Sequence, residues 1–151
     1  MTSIYRYQPA TTPGPYGTDY RPQGPDGDGP TDTLTELCTL DGWRYVSVPD
    51  GADYIIPDEI TTWEPVTLTD DLREQIKATS PHTRLIAERV IEQIRAKYSI
   101  DDELFIARIS VGALRQTYNQ SADEETLIAD YQTDVEAARE WGRARRAELG
   151  L

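Results

Sequence analysis

The sequence predicts an α+β fold in three parts: an extended N-terminal arm (residues 1–32), a small antiparallel β-meander with a connector (33–68), and a C-terminal bundle of three to four helices (69–151). Three observations predict this fold. Proline and glycine make up 11 of the first 32 residues, two turn motifs separate the alternating apolar runs of the second part, and capped apolar stripes at helical spacing fill the third.

The first part cannot bury enough apolar surface to offset the entropy of ordering it. We therefore expect an arm with polyproline-II bias that becomes ordered on a neighbouring chain, and whose removal over residues 1–30 leaves the rest folded. Tyrosine and arginine anchor protein interfaces because they combine large contact area with directional hydrogen bonds. The predicted partner-binding residues are Tyr5, Arg6, Tyr7, Tyr16, Tyr20 and Arg21. The alternative is a solvated tail with incidental tyrosines.

The second part is expected to form the β-meander. Asp41-Gly42 is the dipeptide of a tight hairpin turn, and Pro49-Asp50-Gly51 marks a second turn. Between the turns, side chains alternate between the faces of the sheet, with Trp43, Tyr45 and Ser47 on one face and Arg44, Val46 and Val48 on the other. We expect a strand over Asp53–Ile56 to pair with Arg44–Val48, and Ile60–Leu68 to form an irregular connector to the helices.

Four local signals predict where helices begin in the third part. Thr69 precedes two acidic residues, as an N-cap does, and Ser80 precedes a proline suited to the first helical position. Ser99 stands shortly before three acidic residues, which favour a helix N-terminus. Ser121 and Glu124 have the spacing of a capping box. These signals indicate four helices.

Apolar residues follow these helix starts at helical spacing, and we expect each stripe to face the core of the bundle. The stripe of the second helix is Leu85, Ala87, Val90, Ile91, Ile94 and Tyr98. The stripe of the third helix is Leu104, Ala107, Val111, Leu114 and Tyr118, widened by Ile106 and Ile109. The stripe of the fourth helix is Leu127, Ile128, Tyr131, Val135 and Ala138, with Trp141 as a further candidate member. Gly112 is expected to permit close helix packing.

Composition restricts the classes of partner and chemistry. The 151 residues include 27 acidic and 15 basic side chains, a formal net charge of −12, which weighs against a general nucleic-acid binder or an anionic-membrane binder. No apolar run long enough for a membrane span or a signal peptide occurs. The single cysteine, Cys38, excludes an intrachain disulfide and is expected to be a small buried hydrophobe.

No motif predicts catalysis, a cofactor or a metal, so we expect a protein that is not an enzyme. His82 lies close to Ser80, but no third group completes a nucleophilic site. Asp26-Gly-Asp28-Gly resembles the opening of a calcium loop, yet the later ligand positions do not match. The acidic run Asp101-Asp102-Glu103 stands where a helix N-terminus favours negative charge, which explains it without a cation.

Three stretches between Asp41 and the C-terminus carry a resemblance to known proteins. They are DGWRYVSVPDGADYIIP, IKATSPHTRLIAERVIEQIRAKYSIDDELFIARISVGA and VEAAREWGRARRAELGL. In the identity and the spacing of their residues they resemble small proteins encoded among the tail and fibre genes of tailed bacteriophages. The resemblance implies a virion structural component, or a helper that assembles tail fibres, with no catalytic residue to carry over. The N-terminal part of the sequence lies outside this resemblance.

We therefore expect a structural or assembly component of a phage particle, in the tail, baseplate or fibre attachment region, that binds neighbouring subunits through its N-terminal arm. The expected partners are other virion or tail proteins, with a second copy of the chain as a further candidate, and neither nucleic acid nor membrane. The expected location is the virion, after assembly in the host cytoplasm. Two alternatives stay open: a tail-fibre assembly chaperone absent from the mature particle, and an acidic DNA-mimic inhibitor.

Overall fold

The structure is a computed structural model that describes residues 2–15, 17–25 and 33–151, and it confirms the α+β class. The strands in these residues are β1 (Thr2–Tyr7), β2 (Ala10–Thr11), β3 (Asp19–Tyr20), β4 (Thr35–Leu40), β5 (Trp43–Pro49) and β6 (Glu64–Pro65). The helices are α1 (Asp70–Thr79), α2 (Pro81–Arg95), α3 (Ile100–Leu114) and α4 (Ala122–Glu148). A small antiparallel sheet therefore precedes the helices, as predicted.

The chain divides into two compact units. The sheet unit comprises Met1–Leu85 and Arg145–Leu151, and the helical unit comprises Ile86–Ala144. These bounds differ from the three predicted parts, because strands from the N-terminal part, strands from the meander and helix α1 share their hydrophobic clusters. Helix α2 begins in the sheet unit and ends in the helical unit, whereas α4 begins in the helical unit and ends in the sheet unit.

Strand β1 lies inside the four-stranded sheet, whose order is β4-β5-β1-β6. It pairs antiparallel with β5 on one side, where Tyr5 is opposite Val46, and with β6 on the other, where Tyr5 is opposite Pro65. The prediction of an extended arm over residues 1–32 is therefore wrong for β1. The run from Ser3 to Tyr7 has the β-branched and aromatic residues that favour strands, and the prolines and glycines that follow it obscured this signal.

The β4–β5 hairpin forms as predicted. Asp41 and Gly42 have φ angles of 50° and 80°, the left-handed conformation that a two-residue hairpin turn requires and that glycine adopts without strain. The predicted pairing of Asp53–Ile56 with β5 is wrong, because β1 occupies that side of β5. Ile55 instead exchanges two backbone hydrogen bonds of 2.9 Å with Gln23.

Each face of the sheet carries a hydrophobic cluster. The α1-side core consists of Ile4, Leu37, Cys38, Tyr45 and Ile76. The Trp63-side core consists of Tyr7, Val46, Val48 and Ile60, with Tyr5, Tyr54 and Trp63 packed against it. Successive residues of a strand point to opposite faces, so β1 and β5 contribute to both cores, in the alternation predicted for β5. Burial raises the pKa of the Cys38 thiol to about 11, so this side chain is a neutral, buried hydrophobe at physiological pH, as predicted.

Three of the four predicted helix starts carry the expected caps. The Thr69 hydroxyl accepts the backbone N–H of Leu72, and Ser99 forms a capping box with Asp102. Ser121 and Glu124 form the reciprocal pair of a second capping box. Helix α2 begins at Pro81 as predicted, but the buried Ser80 hydroxyl has no hydrogen-bond partner among the described residues. The capping residues in the sequence therefore predicted correctly where the helices begin.

The helical unit has few fully buried side chains: Ile106 and Ile109 of α3 and Ala138 of α4. Tyr98 and Tyr131 meet edge to face, with ring centroids 5.0 Å apart. Gly112 permits a close approach, but to the turn that follows α3 rather than to another helix, since a Cβ there would lie 2.8 Å from the Cβ of Tyr118. The predicted core stripes of α2 and α3 are both wrong in part. Leu85, Ala87 and Ile91 of α2 are exposed, and the members of the α3 stripe other than Ile106 and Ile109 lie on the surface.

Candidate functional site

Five of the six predicted partner-binding residues contact their own chain, and Tyr16 lies outside the described residues. Tyr5 stacks on Trp63 with ring centroids 5.0 Å apart, and Tyr7 lies 5.8 Å from the same ring. Tyr7 is fully buried, and Tyr20 packs half-buried against the same core. These tyrosines therefore stabilise the sheet unit, and an arm that holds them out to a neighbour is not part of this fold.

Arg6 and Arg21 are also engaged within the sheet unit. Arg6 forms an ion pair with Glu64, with Nη2 2.6 Å from Oε1, and its guanidinium lies 4.3 Å above the Trp43 ring. Because Glu64 is on β6 and Trp43 on β5, Arg6 ties β1 to both of its neighbours. Arg21 pairs with carboxylates of β3 and β4. The prediction that both arginines bind a protein surface of a neighbouring chain is therefore wrong, because the carboxylates that they bind belong to their own chain.

Arg21 belongs to a closed ring of four charges, the charge quartet, formed with Asp19, Glu36 and Arg44. Asp19 lies 3.0 Å from Arg21 and 3.1 Å from Arg44, and Glu36 lies 3.2 Å from each arginine. The Arg44 side chain is only 12 % exposed and also donates a hydrogen bond of 3.2 Å to the Tyr7 hydroxyl. The quartet attaches β3 to the β4–β5 hairpin, a structural role.

The charge quartet predicts an acid-sensitive sheet unit. Partial burial by itself would raise the pKa of Asp19, but hydrogen bonds from Arg44 and Arg21 outweigh it and hold the pKa below its usual value. A lowered pKa stabilises the fold fully above the ordinary aspartate pKa, near 3.9, and the stabilisation is lost as the pH falls through the lowered value. We expect Asp19→Asn to cost about 0.5–1 kcal/mol at neutral pH, an amount limited by the exposure of the carboxylate.

Urea unfolding between about pH 2.5 and 7 measures this effect through the acid limb of the stability curve. Asp58→Asn, which removes the same charge at an exposed position, is the matched control. A variant of Asp19 with the same acid limb and the same neutral-pH stability as the wild type would contradict the role of the quartet.

The residues considered for chemistry do not come together as a reactive site. The buried Ser80 hydroxyl has no hydrogen-bond partner in the described part of the chain, so no bond joins it to the exposed His82. Asp26 and Asp28 lie outside the described residues. Asp102 closes its capping box, and no three potential metal-binding side chains are grouped within 2–15, 17–25 and 33–151.

One face of α3 presents an apolar stripe to solvent, which we name the α3 seam. It consists of Ile100, Leu104, Ala107, Val111 and Leu114, spaced alternately four and three residues apart. Residues at this spacing lie on one face of a helix, and the pattern is that of a coiled-coil contact. Leu114 is 85 %, Leu104 64 % and Ile100 55 % exposed, whereas Ile106 on the other side of the helix is 3 % exposed.

Charged and aromatic residues flank the α3 seam. Asp101, Arg108 and Arg115 follow one edge, one helical heptad apart, and Phe105 is exposed next to them. The Arg108 guanidinium lies 5.8 Å from the centre of the Phe105 ring. Asp101, Leu104, Phe105 and Arg108 line a shallow, open pocket. An apolar centre with a charged edge is the anatomy of a protein–protein interface.

The signal for this surface was present in the sequence. α3 carries apolar residues on both sides, Leu104 and Val111 on one and Ile106 and Ile109 on the other. Apolar stripes on two sides of a helix indicate two contact faces. From the sequence, both stripes were predicted to face one core. The burial of the side chains shows that only the stripe with Ile106 and Ile109 is covered.

Comparison with protein-family models, with curated proteins and with solved structures finds no match for this chain. Within the described residues, none of the helices combines the length and the apolar character that crossing a bilayer requires.

Proposed function

We propose that this protein is a non-enzymatic assembly protein that binds a protein partner through the α3 seam. The observation that carries the proposal is the exposure of five regularly spaced apolar residues on one helix face, next to a face whose isoleucines are buried. Exposed apolar patches flanked by polar residues mark interaction sites on soluble proteins. The charge-flanked edge of the seam supports a protein surface as the ligand.

Burial of the apolar side chains of the α3 seam favours association. Fully burying an exposed leucine, isoleucine or valine contributes about 1.5–3 kcal/mol. Ile100, Leu104, Val111 and Leu114 are between 48 % and 85 % exposed, so each contributes a corresponding part of that amount. Part of this gain offsets the translational and rotational entropy lost on binding. The seam is therefore an interface of moderate strength, suited to reversible assembly.

Within this class, a structural or assembly role in a tailed phage particle is our more specific proposal. The resemblance described above supports this proposal, but the surface that binds the partner differs from the one predicted from the sequence. The N-terminal segment provides the inner strand β1 of the sheet, so we assign partner binding to the α3 seam instead. A tail-fibre assembly chaperone would use the same surface transiently, and mass spectrometry of purified particles distinguishes it, because a chaperone is absent from them.

An acidic DNA mimic is the less favoured alternative. A mimic needs a nearly continuous acidic surface, whereas Asp19 and Glu36 alternate with Arg21 and Arg44 in the charge quartet. A salt-dependent complex with a DNA-binding protein, insensitive to changes in the α3 seam, would favour the mimic.

Photocrosslinking in the cells that naturally produce the protein tests the proposal. A photoreactive phenylalanine analogue replaces Val111 in the α3 seam, and a control variant carries it at Asp130, an exposed polar position of α4. We expect a defined protein adduct at position 111 and none at position 130. Equal labelling at both positions, or no adduct at position 111, would contradict partner binding through the seam.

A further inference from the structure

We propose that the partner of the α3 seam is a second copy of this chain, whose α3 packs antiparallel against the first about a two-fold axis at Ala107. This inference rests on the proposed function and names the occupant of the seam. Two-fold dimers place the same surface patch of both subunits in contact, so the patch must complement its own reversed copy. The α3 seam meets this requirement in side-chain size and in charge.

The sizes of the seam residues read almost the same in both directions. Ala107 is central, with Leu104 and Val111 next to it and Ile100 and Leu114 outside them. In an antiparallel pair centred on Ala107, the small side chains meet at the axis and let the helices approach closely. Leu104 then packs against the second copy's Val111, and Ile100 against its Leu114, so that large residues fill the space on both sides.

The charges along the seam favour the same arrangement. The first turn of α3 carries Asp101, Asp102 and Glu103, and the other end carries Arg115. In the antiparallel pair Asp101 of each copy lies beside Arg115 of the other, which forms two ion pairs at the edge, and the helix dipoles oppose one another. A parallel pair would place the two acidic ends side by side and repel.

Arg108 lies beside the two-fold axis, where its counterpart in the second copy is also near. Its guanidinium is held over its own Phe105 ring, 5.8 Å from the ring centre, at the solvated edge of the seam. Both arginines therefore stay in contact with water, and the repulsion between them is screened. A single helix pair is smaller than a standard interface, so we expect a dissociation constant in the micromolar range, about 10 μM.

Sedimentation of the purified full-length chain, between about 1 μM and about 1 mM, tests the proposal. The wild type is expected to pass from monomer to dimer across this range. Leu104→Glu is expected to weaken the dimer at least a hundredfold, because two carboxylates would enter the apolar contact. Ile55→Glu, at a 44 % exposed position outside α3, is the matched control and should dimerise like the wild type. Circular dichroism confirms that both variants are folded.

Charge reversal tests the antiparallel orientation independently of the apolar contact. Asp101→Arg and Arg115→Asp are each expected to weaken the dimer about tenfold, since each places like charges side by side. The double variant restores both ion pairs with reversed sign and is expected to recover most of the wild-type affinity. Loss of affinity in the single variants without recovery in the double variant would overturn the antiparallel pairing.

Cysteine crosslinking tests the register. Ala107→Cys is expected to form an interchain disulfide on mild oxidation, because the two copies meet at this position, whereas Ile100→Cys is not. The native Cys38 is buried and should not interfere.

The two proposals can fail separately. A chain that stays monomeric, and shows a photocrosslinked adduct at position 111 to a different protein, overturns the dimer and leaves the assembly role in place. A chain that stays monomeric and shows no adduct overturns both. An adduct of about twice the 17.0 kDa chain mass supports both.

Discussion

Deletion of residues 2–7 is expected to unfold the sheet unit. This segment is strand β1, which pairs with β5 and β6, so its loss breaks the four-stranded sheet into separate pieces. It also removes Ile4 from the α1-side core and Tyr7 from the Trp63-side core. The β4–β5 hairpin that remains is marginal alone in water, and the cores on its two faces have each lost a buried member. This expected result is the opposite of the expectation from sequence alone, which was that removal of residues 1–30 leaves the rest of the chain folded.

Urea unfolding followed by tryptophan fluorescence measures this effect, since Trp43 and Trp63 both lie in the sheet unit. Two point variants separate the loss of packing from the loss of the strand. Tyr7→Ala, at a fully buried position, is expected to cost about 3–5 kcal/mol, whereas Ser3→Ala, at an exposed position of β1, should change stability by less than about 0.5 kcal/mol. A cooperative transition retained by the deletion variant would show that β1 is dispensable.

Ile76→Ala and Leu104→Ala are expected to separate stability from association, although both remove an aliphatic side chain from a helix. Ile76 of α1 is fully buried, so its truncation is expected to lower the free energy of unfolding by about 2–5 kcal/mol. Leu104 of α3 is 64 % exposed, so its truncation should change monomer stability by less than about 0.5 kcal/mol. Its effect is expected on self-association instead, because it removes apolar area from the α3 seam.

Chemical unfolding at low protein concentration, where the chain is monomeric, measures the first effect, and sedimentation at high concentration measures the second. The two variants control for one another, since each is expected to alter one observable and leave the other unchanged. Equal destabilisation by both would mean that Leu104 packs within its own chain, and the assignment of the α3 seam would then be wrong.

Features encoded by a few neighbouring residues were predictable from sequence. Asp41-Gly42 predicted the hairpin turn because positive φ angles are a local property of the backbone. Thr69, Ser99 and Ser121 predicted helix starts because a cap satisfies backbone donors within its own first turn. The two faces of β5 were predictable because successive side chains of a strand point to opposite sides of the sheet, which is again a local property of the backbone.

The partners of these elements depend on residues far apart in the chain, and here the predictions were wrong. The inner position of β1 results from pairing with β5, about 40 residues away. A short strand followed by prolines has the same local composition whether it extends into solvent or pairs within a sheet. Because local composition does not distinguish these two cases, Tyr5 and Tyr7 were predicted to bind a partner. In the structure Tyr7 belongs to the Trp63-side core and Tyr5 packs against it.

The sequence alone therefore determined the fold class, the helix starts and the hairpin, since each follows from local backbone and capping energetics. Tertiary structure alone decided which apolar stripes are covered. Leu104 and Ile106 are both aliphatic and nearly adjacent in α3, but one is 64 % and the other 3 % exposed. Helical periodicity places residues on faces, and only the packing of other elements decides which face is core and which is left for a partner.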